Sequence, residues 1–73
     1  MFDQPELRQE AIDTTRRVLY SHGITTVDLT DGQLLKVINF AHTLMAVGGR
    51  RPDDWDAWKN GIQWGRFMLG YTT

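Results

Sequence analysis

The six residues Leu29-Thr30-Asp31-Gly32-Gln33-Leu34 carry the strongest conformational instruction in this chain. Thr30 and Gln33 have capping-box spacing: the threonine hydroxyl accepts from the backbone N–H of Gln33, and the glutamine side chain accepts in return from the N–H of Thr30. Leu29 and Leu34 occupy the two positions of a hydrophobic staple, which sets the angle at which the chain enters the helix. Asp31 suits the positive end of the helix dipole. The spacing predicts a helix over 31–47, closed by Gly48-Gly49, because glycine tolerates the left-handed conformation that commonly ends helices.

At about 100° per residue, Leu34, Val37, Ile38, Ala41, Leu44 and Met45 form one stripe, flanked by Leu35 on one side and by Phe40 and Val47 on the other. Lys36, Asn39, Thr43 and the rim residue His42 are left for water. The arc is wider than the roughly 100° stripe of a surface helix, so this helix is expected at the centre, covered on two sides.

Two more helices are expected around it. Asp3 and Glu6 stand at capping positions, Phe2 can staple to Leu7, and Pro5 falls in a first turn where its missing N–H costs little, which predicts a helix over 4–22 that stops at Gly23. Leu7, Ala11, Ile12, Val18 and Leu19, with Thr15, make its inward side. Glu6, Gln9, Glu10, Asp13, Arg16 and Arg17 line the solvated one, with Asp13 and Arg17 spaced to pair. The turn Arg50-Arg51-Pro52-Asp53 leads into a third helix over 54–69, with Asp53 as its cap, Asp54 and Asp56 in its first turn, and Gly70 near its end. Between the first two helices, 24–29 is rich in β-branched residues and reads as an extended connection whose Ile24 and Val27 plug into the core. A strand there would have only its own copy in a dimer to pair with. The expected fold is all-α: one small three-helix domain over 1–73.

A 73-residue chain buries only about 60% of its unfolded surface, so its stability is thin. Without cysteine it has neither a disulfide framework nor a cysteine-based zinc site, which leaves self-association as the natural remedy, and a homodimer is expected. A net charge of −1 and a pI near 6.0 argue against phosphate neutralisation as the main work, and nucleic acid is not an expected partner. No apolar run is long enough to span a bilayer, and no basic segment precedes an apolar one at the start; no membrane role is expected, and cytoplasmic residence is the default.

The third helix carries all three tryptophans. Trp55, Trp58, Ile62, Gly65 and Leu69 share one face. Trp64, Met68 and Tyr71 lie nearly opposite, with Ala57 beside them and Phe67 nearer the polar strip of Asp56, Lys59, Asn60, Gln63 and Arg66. Gly61 and Gly65 each cost about 1 kcal/mol relative to alanine inside a helix, which implies that a neighbouring backbone or ring comes close to them. A helix in a three-helix protein needs one inward face, so one aromatic set has no obvious intramolecular partner. Either the other helices and the connection wrap it, or it is an interface. Trp64, Phe67, Met68 and Tyr71, with Arg66 and the turn residues Arg50 and Arg51, are therefore the candidate partner-binding set, since Trp, Tyr and Arg dominate binding hot spots.

Other chemistry is thinly represented. His22 and His42 form no i, i+4 pair and read as structural, Ser21 beside His22 is not a triad, and Asp53, Asp54 and Asp56 lack the glycine and terminal glutamate of a calcium loop. No cofactor, metal or catalytic role is expected. The acidic start of the third helix would repel a DNA backbone, which speaks against a helix-turn-helix reading. The residues favour a non-enzymatic regulator or inhibitor that docks an aromatic and arginine-bearing helix face onto a larger protein; compact binders of this kind are associated with phages and mobile elements. Second is a small-ligand or nucleotide-binding helical oligomer, with a ring stacked on Trp64 or Tyr71 and phosphates held by Arg50, Arg51 or Arg66. A DNA-binding accessory protein comes third.

Overall fold

The computed structural model describes residues 5–71, with side chains from Arg8 onward. It contains three helices, α1 (Pro5–Ser21), α2 (Asp31–Val47) and α3 (Trp55–Met68), and no strand among the described residues. The expected capping and staple residues of α1, Asp3, Glu6, Phe2 and Leu7, lie outside the described side chains.

The start of α2 forms as its residues require. Thr30 Oγ1 accepts from Gln33 N at 3.2 Å, Gln33 Oε1 accepts from Thr30 N at 3.0 Å, and the staple residues Leu29 and Leu34 are both buried. At α3 the capping residue is Asp54, one position later than Asp53: Asp54 Oδ1 accepts from Ala57 N at 3.1 Å, and Asp53 instead faces Arg51 at 3.3 Å. Pro52 opens a turn in which Asp54 N donates to the carbonyl of Arg51, which delays the helix by a residue. Helix α1 stops at Gly23, whose φ of 80° lets Ile24 N reach back to the Leu19 carbonyl; α2 and α3 close the same way, with Arg50 N on Met45 O and Tyr71 N on Arg66 O.

The core is one cluster of Ile12 and Leu19 from α1, Ile24 and Leu29 from the connection, Leu34, Val37 and Ala41 from α2, and Ile62 from α3. Helices α2 and α3 make the closest approach, and α1 stands further off. The reason for the close approach is glycine: a Cβ built at Gly61 would lie 2.9 Å from the Ala41 Cβ and 3.1 Å from its Cα, and one at Gly65 would lie 3.2 Å from the Phe40 ring. The expectation that a neighbour crowds these glycines is met. Burial of α2 is narrower than its sequence implied. Leu34, Val37, Ala41 and Met45 are buried, but Leu35 and Leu44 are nearly half exposed and Val47 is open to water, so α2 is covered on one side and left bare on its flanks. With α1 held away, the described side chains cover those flanks only in part.

The connection is also different from an extended plug. Ile24 is buried as expected, but Val27 is 90% exposed, and Thr26 and Leu29 take the inward places. A turn causes this: Leu29 N donates to the Thr26 carbonyl, which breaks the period-two alternation. Buried Thr26 is tolerated because Arg16, expected on the solvated face of α1, points inward. Its guanidinium donates to the Thr26 carbonyl at 2.5 Å, the Thr26 hydroxyl at 3.3 Å, the Leu29 carbonyl at 2.8 Å and the Asp31 carboxylate at 2.9 Å. The forked group thus ties α1 to the connection and to the first turn of α2. Asp13 accepts from Gln9 at 3.0 Å, and no Asp13–Arg17 ion pair forms among the described residues.

Two glycine variants test this packing. Gly61→Ala gains about 1 kcal/mol of helix propensity but forces α2 and α3 apart at a cost of about 1–3 kcal/mol, and is expected to lower the urea midpoint. Gly32→Ala, with open space around its site, is expected to raise the midpoint by an amount equivalent to roughly 0.5 kcal/mol.

Candidate functional site

Because Gly61 and Gly65 let α3 lie close on α2, its inner face is filled by Ile62, with half-buried Trp55 and Trp58 covering the edge of the core. Each of those two rings is held. Trp58 Nε1 donates to the Pro52 carbonyl at 2.8 Å, and Trp55 stacks on the His22 ring, with centroids 3.7 Å apart and planes 10° from parallel. His42 lies near Trp58, at 6.2 Å between ring centroids. The two histidines thus stand beside different tryptophans, and among the described residues no three His, Cys, Asp or Glu side chains gather where a metal could bind.

The opposite face of α3 is open. Trp64 is 59% exposed, Phe67 64% and Met68 62%. Trp64 and Phe67 meet edge to face, with centroids 6.2 Å apart and planes at 89°, a contact worth about 0.5–1.5 kcal/mol that holds the two rings as a single projection. Beside them runs a groove of about 380 Å³ between the end of α2 and the first half of α3, with Leu44, Arg50, Ala57, Asn60 and Trp64 among its walls. A second hollow of about 280 Å³, lined by Val18, Ile38, Trp55 and Trp58 among others, lies between α1 and the start of α3 and has no charged residue in its wall.

The remaining candidate residues do not join one surface. Tyr71 follows Gly70, whose positive φ turns the chain back, and its half-buried ring packs against the core. Arg66 leaves the polar strip of α3 to pair with Asp28 in the connection, and only 20% of its side chain remains exposed. Arg51 faces Asp53 at the surface. Arg50 lines the groove and makes no ion pair among the described residues. A phosphate-holding trio of arginines beside a stacked ring is therefore not assembled. Among the groove residues that sequence reasoning did not assign to the site are Leu44, Ala57 and Asn60 and the two carboxylates Asp54 and Asp56. The short side chains one and two turns before Trp64 were the available signal.

Hydrogen bonding from the Arg66 guanidinium holds the Asp28 carboxyl below its ordinary range. A carboxylate whose folded-state value is depressed contributes stability above its unfolded value, and the contribution is lost as pH falls through the folded one.

In class this is a small all-α three-helix domain, and no helix among the described residues is long and apolar enough to cross a membrane. Comparison with protein-family models, curated proteins and solved structures finds no match to this chain.

Two expected outcomes follow from this placement. Trp64→Ala and Phe67→Ala should each cost about 1 kcal/mol or less in urea unfolding followed by circular dichroism, against about 2–5 kcal/mol for Ile62→Ala, because only the last opens a cavity. Asp28→Asn should lower the melting temperature at neutral pH, with the gap to the unmodified protein closing below about pH 4, where the aspartate itself protonates.

Proposed function

We propose that this protein is a non-enzymatic regulator or inhibitor that acts by covering a site on a larger protein with the outer face of α3. One observation carries the reading: Trp64, Phe67 and Met68 stand side by side, each more than half exposed, on a well-formed helix. Together they leave on the order of 350 Å² of ring and thioether surface to water, within the size of the largest apolar patches on monomers, which are often functional. Tryptophan is enriched among residues that dominate binding energy, and a thioether adapts to an irregular partner surface.

The form of the face supports docking over chemistry. Rings and a thioether bind and exclude water but do no acid–base work. Their edge-to-face contact and helical anchoring fix them before binding, so little side-chain freedom is lost on association. Arg50, Asp54 and Asp56 in the wall of the adjoining groove supply the polar rim that such interfaces carry. As the rings project outward, the partner is expected to offer a concave apolar pocket.

The test is quantitative capture from a cell lysate, comparing the unmodified protein with a Trp64→Ser/Phe67→Ser double variant. The variant should keep its helical spectrum and lose at least one captured protein by about tenfold or more, since tenfold is only about 1.4 kcal/mol of contact energy. Equal recovery of every protein by both baits would overturn the reading.

A further inference from the structure

We infer that Met68 is a reversible oxidation site: a peroxide converts its thioether to the sulfoxide and so turns the outer face of α3 from apolar to polar. In its effect on docking the inference rests on the role proposed above; the modification and the change in the face stand without it.

Oxidisable sulfur has few places in this chain. There is no cysteine, so no thiolate competes for an oxidant, and sulfur is confined to the three methionines. Met1 lies outside the described residues. Met45 borders the 380 Å³ groove but is one of the buried residues of α2, with only 4% of its surface open to water. Met68 is more than half exposed, ends α3, and takes no part in the core cluster. A peroxide must reach the sulfur itself, so exposure decides which thioether reacts. Met68 and Met45 thus offer the same chemistry at opposite extremes of access.

The step needs only the peroxide. A lone pair on the Met68 sulfur attacks one peroxide oxygen, the O–O bond breaks, and a sulfur–oxygen bond forms. The second oxygen leaves as water from hydrogen peroxide or as an alcohol from an organic hydroperoxide. Sulfur loses two electrons and the peroxide gains them. Methionine sulfoxide reductases reverse the change, one enzyme for each sulfoxide epimer, with two thiols becoming a disulfide as the oxygen departs in water.

Position gives the modification its consequence. Met68 follows Trp64 by four residues, which places it one turn beyond the indole on the same side of the helix, and it adjoins Phe67. The sulfoxide oxygen is a strong acceptor that holds water, and an apolar pocket closing over the two rings would have to strip that water without replacing it. Oxidation of a buried methionine disrupts packing. Met68 lies outside the core, so its oxidation changes the surface and spares the fold.

The test treats the full chain with hydrogen peroxide and follows each methionine by peptide mass spectrometry. Retention on a phenyl matrix reads the face without any partner. Met68 is expected to gain one oxygen about tenfold or more faster than Met45, with the helical circular dichroism spectrum kept and retention reduced. Met68→Leu should retain normally and lose its sensitivity to peroxide, Met68→Gln should elute early without treatment, and the two reductases with a thiol should restore retention of the oxidised protein. Oxidation of Met45 as fast as Met68, loss of helical signal when Met68 alone is modified, or an equal change of retention in the Met68→Leu variant would overturn the inference. Lysate capture separates it from the docking role. Capture that needs Trp64 and Phe67 but ignores the Met68 sulfoxide removes the switch and leaves docking, whereas no capture, with retention still following Met68, removes docking and leaves the modification site.

Discussion

The crossing of α2 and α3 at Ala41 and Gly61 decides most of what this small protein presents to water. A Cβ at Gly61 would overlap Ala41, so the missing side chain is what allows the two helices their close approach. With backbone nearly on backbone there, the inner face of α3 needs only Ile62 at the centre and the two tryptophans at its edge. Rings elsewhere on α3 have nothing to pack under. Trp64, Phe67 and Met68 are outside because glycine, rather than a large side chain, is inside.

The third layer is attached differently. Helix α1 keeps its distance from the other two helices and is joined through Ile12, Leu19 and the fork of Arg16. Hydrogen bonds to a charged group contribute about 1.5–3 kcal/mol each when well formed, which matters in a domain whose whole stability is of the order of 5–15 kcal/mol. On the other side of the connection, Arg66 reaches from α3 to Asp28. Two arginines on two helices thus hold one nine-residue loop, and each satisfies polar groups that the turn at Thr26–Leu29 would otherwise leave to water or orphaned. Arginine suits the task because its donors diverge in a plane and can serve several acceptors at once.

These attachments narrow the candidate face by subtraction. Arg66 and Arg51 are committed to aspartates, and Tyr71 is turned back onto the core, so no clamp of three arginines surrounds the exposed rings. What remains is an apolar projection beside a groove whose charged wall residues are Arg50, Asp54 and Asp56. Such a surface gains free energy by shedding water from rings, and its selectivity comes from shape.

Much of the architecture was legible in the residues. The capping box at Thr30 and Gln33, the staple of Leu29 and Leu34, the helix-ending glycines and the spacing of Ile62 with Trp55 and Trp58 act over one or two turns, and backbone geometry alone gives them meaning. Counting apolar faces against the number of helices left two outcomes for Trp64, Phe67 and Met68, wrapped or bare, and the packing leaves them bare. What was not legible depends on partners far along the chain. Arg16 looked solvated because its acceptors are supplied 10 to 15 residues later, and Arg66 looked available because Asp28 lies 38 residues before it. Val27 and Leu44 looked buried because local periodicity says which side a residue is on but not whether anything stands there. By itself, the sequence determined the start of α2 and, to within a residue, the limits of all three helices. Only the tertiary structure decided how close the helices come, and with it which charges are paired and which rings stay wet, since those depend on contacts at a crossing point that no stretch of chain specifies alone.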